Sequence, residues 1–174
     1  MNFKTFSPDT EIQGISMLNA IETLKQFNIP IADYLEQHGL TDIDGEGWYK
    51  EQLWLDILNK IYTKFGPNTI FTLGKGVGAK VPAFDLDFRS LLNSLGPVYN
   101  RYHRNTTTEY FVVENYDEQN KKATMAKHNP YPVEYSKGLL IGMMRKFKPN
   151  PYSLPVVDVE VNQAKNICHL HLSW

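Results

Sequence analysis

Tyr99-Asn100-Arg101-Tyr102-His103-Arg104 opens the stretch that decides the fold. It leads into Glu109-Tyr110-Phe111-Val112-Val113-Glu114-Asn115, then Lys122-Ala123-Thr124-Met125-Ala126-Lys127-His128. Asn129-Pro130-Tyr131-Pro132 and Gly138-Leu139-Leu140-Ile141-Gly142-Met143-Met144-Arg145-Lys146-Phe147 complete it. The apolar period changes twice here. Residues 98–104 finish a helical pattern, 109–115 and 122–128 alternate around the turn Asp117-Glu118-Gln119-Asn120, and Tyr135 to Phe147 returns to helical spacing. Alternation on both sides of a short polar turn predicts a hairpin, and the two prolines around Tyr131 break strand and helix alike.

A second pair of alternating runs, Val156 to Val161 and Asn166 to Trp174, surrounds the turn Asn162 to Lys165. In the last run Cys168, Leu170, Leu172 and Trp174 share one face, and His169, His171 and Ser173 the other. Upstream of the stretch, Ser7-Pro8 reads as a capped start of a first helix to about Phe27. A short helix runs from Pro30 through Gln37 and stops at Gly39, and Thr41 to Gly47 is an acidic loop. Trp48 to Phe65 carries the strongest helical stripe, with Leu53, Ile57, Ile61 and Phe65 in register before Gly66-Pro67 ends it. Asn68 to Lys80 is a weaker helix because of Gly74, Gly76 and Gly78. Asp85 is placed to cap the next helix, which carries Phe88, Leu91, Leu92 and Leu95 and bends at Gly96-Pro97.

The order is helices, hairpin, helix, hairpin. Strands joined by short turns favour antiparallel pairing, so the expected class is α+β: N-terminal helices packed on a four-stranded antiparallel sheet, made of two hairpins separated by a helix. At 174 residues one domain, 1–174, is expected. With 18 basic and 19 acidic residues the net charge is −1, which argues against nucleic acid as a partner. The single cysteine, Cys168, excludes an intrachain disulfide and fits a reducing, cytoplasmic setting. No apolar run is long enough for a membrane span, and the N-terminus lacks the features of a signal peptide.

Several motifs, in order, resemble one bacterial family. Trp48-Tyr49-Lys50-Glu51-Gln52-Leu53-Trp54-Leu55-Asp56 is similar to its WYxxQxWLD run, and Leu73-Gly74-Lys75 to the LGK that follows. Tyr99 to Arg104 resembles its YxxNHR segment. Asn129 to Pro132 with Lys137 to Leu140 and Arg145 to Phe147 resembles NPYPC-x-F-x-x-GII…ARRF, and Cys168 to Trp174 resembles an SCxYxVxW ending. The family is that of the 4-vinyl reductase-like domains, related to heme-NO-binding domains and to TRAPP trafficking subunits. The chain departs from it at Tyr102, Val133 and Tyr135, and lacks its grouped cysteines. The resemblance implies an α+β ligand-binding domain of signalling type.

The residues themselves admit sharp and plain readings. His103 and Arg104 could meet a ligand's polar end at a pocket mouth, or cap a helix C-terminus. His128 and Tyr131 could stand beside His103, or a proline-set turn could simply plug Tyr131 into the core. His169 and His171 share a strand face but lack further metal ligands, so no metal is expected. Gly74-x-Gly76-x-Gly78 lacks the context of a phosphate loop and reads as close helix packing. Cys168 and His169 point to opposite faces, so no nucleophile is activated and the chain reads as a non-enzyme, with a reductase ranked last.

The expected function is therefore non-enzymatic binding of a small hydrophobic ligand. Tyr99, Tyr102, His103, Arg104, His128, Tyr131 and Trp54 are the ligand-binding candidates, within an aromatic pocket between helices and sheet. The alternative is a protein-interaction module, working as a homodimer or with a signalling partner, as the TRAPP relatives suggest. No cofactor is signalled by motif; heme on an axial His103 or His128 is left open by the family alone.

Overall fold

The computed structural model describes residues 3–82, 86–106, 109–162, 164–165 and 167–174. The chain begins with a short strand β1 (Glu11–Gln13) that runs into α1 (Gly14–Gln26), followed by α2 (Ala32–Gln37), β2 (Trp48–Lys50), α3 (Glu51–Phe65) and α4 (Pro67–Lys80). Then come α5 (Phe88–Tyr102), β3 (His103–Arg104), β4 (Tyr110–Asp117), β5 (Lys122–His128), α6 (Val133–Phe147), β6 (Val156–Asn162) and β7 (Ile167–Ser173). The class is α+β, and the large sheet is antiparallel, in the order β4-β5-β7-β6. It consists of the two hairpins read from the alternating segments, with α6 between them in sequence.

A second sheet of three short strands, β2-β1-β3, was not legible. It corrects three helix boundaries. The helix expected from Ser7 begins at Gly14 instead, because Ile12 is drawn into pairing with Tyr49 on one side and His103 on the other. Ser7 makes a turn, its hydroxyl accepting from Asp9 N–H at 3.2 Å. The helix expected from Trp48 starts at Glu51, whose N–H donates to Thr10 O at 3.0 Å. His103 and Arg104, expected to close α5 as caps, form β3. Asp87 caps α5, accepting from Ser90 N–H at 2.7 Å, and the cap expected at Asp85 lies outside the described residues. Pro97 lies within α5, which continues past it to Tyr102. The Asn166 end of the last run and Thr107-Thr108 also fall outside the described residues.

Burial divides the apolar side chains into two cores. The first gathers Ile12, Met17, Ile21, Leu24, Trp54, Ile57, Leu58, Ile61, Ile70 and Leu73 from α1, α3, α4 and β1. The second gathers Leu91, Leu92, Phe111, Met125, Leu140, Met143, Leu170, Leu172 and Trp174 between α5, α6 and the sheet. Of the face expected to turn inward on β7, Leu170, Leu172 and Trp174 are buried and Cys168 is half-buried, while His169 and His171 face Glu114 and Glu160.

The pair α4 and α6 joins the two cores. Its helices meet backbone to backbone through four glycines. A Cβ on Gly74 would lie 2.1 Å from Tyr135 O, on Gly78 2.1 Å from Leu139 O, on Gly138 2.1 Å from Phe71 O and on Gly142 2.2 Å from Lys75 O. Small residues four apart on both helices therefore interlock, which is the packing role read for Gly74 and Gly78. Gly76 does not belong to this seam; its Cβ would meet the Thr23 side chain of α1.

Gly74→Ala or Gly138→Ala should therefore force the two helices apart and cost about 3 kcal/mol. In thermal denaturation that is a fall of roughly 10 °C in Tm. Gly39→Ala serves as the comparison. Gly39 has φ +68, and a Cβ placed on it would meet nothing within 4 Å, so only backbone strain is added, about 1 kcal/mol.

Candidate functional site

The three-stranded sheet brings a polar cluster to the edge of the first core. β3 leaves α5 at Tyr102, so His103 and Arg104 alternate across the strand. His103 turns inward and is 7% exposed. Arg104 turns outward, its Nε donating to Glu11 Oε2 at 2.6 Å and its guanidinium 4.6 Å from the Trp48 ring centroid. The rim pair expected to face one ligand is thus split between two sides of a strand.

His103 Nδ1 lies 2.9 Å from Tyr99 O. A carbonyl only accepts, so Nδ1 carries the proton and Nε2 is left as an acceptor. Tyr131 Oη, 2.9 Å from Nε2, donates to it. Tyr99 stacks on the imidazole with centroids 4.0 Å apart, and Tyr131 meets it edge-on at 5.7 Å. Burial pushes the His103 pKa down to about 4, so the ring is neutral at physiological pH.

Two carboxyl groups that the sequence did not single out complete the cluster. Glu51, the first residue of α3, is wholly buried, with Oε1 3.6 Å from His103 Nε2 and Oε2 accepting from Thr5 Oγ1 at 2.8 Å. Glu109, at the entry to β4, accepts from the Tyr99 hydroxyl. Among the described residues, Oε1 of Glu51 and Oε1 of Glu109 are both buried without a hydrogen-bond partner. Burial, reinforced by the negative charge of Glu109, pushes the Glu51 pKa up to about 7. Burial raises Glu109 too, against its hydrogen bond from Tyr99 and the nearby His128. Burial and the two carboxylates hold Tyr99 and Tyr131 well above the ordinary phenol value.

Tyr131 reaches the cluster because its turn is anchored from below. Lys127 is 3% exposed, and its ammonium donates to Tyr131 O and, at 3.4 Å, to Asn129 O. Asn129 Oδ1 accepts from Tyr131 N–H at 3.3 Å. Burial lowers the Lys127 pKa to about 8.

Of the seven candidates, then, Tyr99, His103 and Tyr131 come together. His128 lies on the Glu109 side of the cluster, its ring 4.6 Å from Phe6 and 5.4 Å from Tyr110. Trp54 is a 3% exposed core residue, and Tyr102 sits half-buried beside the Arg101 guanidinium. The aromatic hollow expected here is closed by ring contacts. Cavities of about 190 Å³ and about 110 Å³ lie instead at the end of α6, under Pro151 and Leu154, and between α1 and α4. Neither is lined by any of the seven. Among the described residues no three His, Cys, Asp or Glu side chains converge to hold a metal ion.

No family model matches the sequence. No curated protein matches it either. Solved structures do match the fold. A mutant H-NOX protein from K. algicida with unliganded Fe(II) superposes with a TM-score of 0.70 at 15% identity, over 93% of this chain and 96% of that one. An H-NOX protein from S. oneidensis in its Fe(II)NO state gives 0.68 at 16% identity, over 93% and 98%. An oxygen-binding H-NOX domain related to soluble guanylate cyclases gives 0.65 at 13% identity, over 93% and 94%. These likenesses are of fold. The fold is the one seen in H-NOX structures, and these likenesses lend no support to the 4-vinyl reductase and TRAPP branches of the resemblance.

The raised Glu51 pKa makes a signed prediction. Between its unfolded value of 4.5 and about 7 the folded chain holds a proton that the unfolded chain releases, so this group's contribution to stability falls as pH rises through that window. Glu51→Gln removes the effect. In urea denaturation the variant should gain on the wild type from pH 4.5 to 7, by on the order of 2 kcal/mol. A flat difference would show that Glu51 ionises freely. His103→Ala, which strips a buried partner from Tyr131, should cost about 2 kcal/mol, whereas Arg104→Ala should cost under about 1 kcal/mol. Both can be read from the same titrations.

Proposed function

We propose that this protein is a ligand-binding sensory domain with the H-NOX fold that works without heme, its ligand seat being the cluster of Glu51, Tyr99, His103, Glu109 and Tyr131. The observation that carries this reading is a pair of buried carboxyl oxygens without hydrogen-bond partners among the described residues, one of them, Glu51 Oε1, 3.6 Å from a neutral imidazole. Buried acceptors are costly when unpaired, so a fold that keeps them has something else to satisfy them. The cluster draws on β3, the start of α3, the end of α5, the entry to β4 and the turn before α6. A ligand bound there would touch elements belonging to both cores, which suits a sensory role.

Iron and heme figure in the fold neighbours. His103 has the tautomer an axial ligand needs, with Nε2 unprotonated. That atom is occupied by the Tyr131 hydroxyl and faces the Glu51 carboxyl. A porphyrin would have to part Tyr99 from the imidazole it stacks on and press its apolar face on two buried carboxyls. The residues present do not fit the group. A hydrophobic ligand of ordinary pocket size, ~300 Å³ or more, fits no better in the closed arrangement.

A second reading rests on the large sheet's β6 edge. Tyr152 and Leu154 are 96% and 82% exposed beside it, and Val156 and Val161 on it are about half exposed. An exposed edge with apolar side chains is a template for pairing with another chain, as expected of a homodimer or of a signalling partner.

Hemin titration tests the main reading. Purified protein should develop no stoichiometric Soret band, while native mass spectrometry finds a small molecule that dissociates on denaturation and is lost from His103→Ala. A Soret band that disappears with His103→Ala would overturn the heme-free reading. A ligand-free protein whose mass doubles with concentration would favour the edge-strand reading.

A further inference from the structure

The charge balance of the cluster narrows the class of ligand. This inference rests on the seat proposed above. Each element packed around Glu51 contributes a group, and among the described residues none brings a cation into hydrogen-bonding contact with it. From β3 comes His103, held neutral by burial against its hydrogen bond to Tyr99 O. From α5 comes Tyr99, whose hydroxyl is given to Glu109 and also lies close enough to the Glu51 carboxyl to favour its ionised form. From the turn before α6 comes Tyr131, whose hydroxyl is given to His103 and acts on Glu51 in the same way. From the N-terminal segment comes Thr5, which reaches Oε2 and leaves Oε1 alone.

The basic side chains nearby are committed elsewhere. Arg104 is on the far side of β3 with Glu11, and Lys127 donates to the carbonyls of Asn129 and Tyr131. His128 lies near enough to Glu109 to favour its ionised form, while its ring packs between Phe6 and Tyr110. The walls are π faces: Tyr99 stacked on His103, Tyr131 edge-on to both, and Tyr135 tilted against Tyr131 at 5.6 Å.

From two unpartnered carboxylate oxygens, a neutral imidazole and surrounding aromatic faces, we infer that the seat takes a small ammonium-type cation, ammonium itself or a primary amine head. Carboxylates and π faces are the two environments that stabilise a desolvated ammonium. Its N–H groups would be donors to Glu51 Oε1 and Glu109 Oε1, the atoms that lack one. An anion would meet two buried carboxyls, of which only Glu109 has a basic group, His128, nearby.

The raised pKa of Glu51 then becomes a linkage. Without ligand the carboxyl keeps its proton up to about neutral pH. The cation takes the proton's place, so binding releases a proton below about pH 7 and strengthens as pH rises through that value.

The test is thermal denaturation of the full chain at pH 8 and pH 5.5 in ammonium, methylammonium, sodium or tetramethylammonium chloride at equal ionic strength. Ammonium and methylammonium should raise Tm by several degrees over sodium at pH 8, and by much less at pH 5.5. Glu51→Gln and, separately, Glu109→Gln should abolish the difference. With ¹⁵N-ammonium, protein-bound N–H protons should appear in a heteronuclear correlation spectrum of the wild type and vanish in Glu51→Gln. Equal protection by sodium or tetramethylammonium, or protection that survives both substitutions, overturns the inference. A neutral or anionic molecule that co-purifies and is lost with His103→Ala also overturns it, while leaving the sensory reading standing.

Discussion

The backbone contact between α4 and α6 is the constraint on which the rest of the molecule depends. Each helix presents two glycines four residues apart, and each glycine receives a carbonyl of the other helix where a side chain would stand. No other residue type permits that approach. The consequence reaches beyond the seam. α4 carries Ile70 and Leu73 into the first core, and α6 carries Leu140, Met143 and Met144 into the second. The glycine contact therefore fixes the separation of two hydrophobic cores that otherwise share little. It also fixes where α6 begins, and the turn that precedes α6 holds Tyr131.

Tyr131 connects that mechanical constraint to the polar cluster. Its backbone is gripped by Lys127 and Asn129, its ring closes the first core, and its hydroxyl donates to His103 Nε2. A buried lysine is costly unless its donors are used. Here they tie β5 to the turn, which explains a cation on an otherwise apolar strand face. Glu51 is held with equal firmness. The backbone of α3 starts where β2 ends, and pairing of β1 with β2 and β3 fixes that start against His103. The short sheet contributes little hydrophobic area. What it supplies is position, bringing a carboxyl from one segment and an imidazole from another to 3.6 Å.

The elements that carried a period were legible in the sequence. The two hairpins, α6 and most of α3 rest on runs of six residues or more, long enough for alternation or helical spacing to show. The glycines of α4 were legible as packing positions because no phosphate-loop context surrounded them. The three short strands were not legible. A stretch of two or three residues has no period, and Glu11 to Gln13 and Trp48 to Lys50 were absorbed into the helical stripes that follow them. That one loss misplaced the site. With His103 and Arg104 read as the last residues of a helix, both basic groups belonged to one rim. As a strand, adjacent residues face opposite ways, and only the histidine remains inside. Glu51 looked like an ordinary acid at a helix N-terminus, where negative charge is favoured. Only the pairing of β1 reveals that this N-terminus is buried.

The aromatic residues show why composition alone could not decide between a hollow and a filled core. Tyr99, Tyr131 and Tyr135 do lie together, as a pocket would require. They are spent on one another and on His103, in stacked, edge-on and tilted contacts. The packing leaves carboxylate oxygens, rather than apolar walls, as the unsatisfied part of the region. An apolar void would select for shape, whereas unpartnered acceptors in low dielectric select for charge and for hydrogen-bond donors. The same fold seen around iron in its neighbours is thus compatible with a different kind of recognition here. What a scaffold of helices and antiparallel sheet hands to its interior is a set of positions, and function follows from the chemistry standing at them.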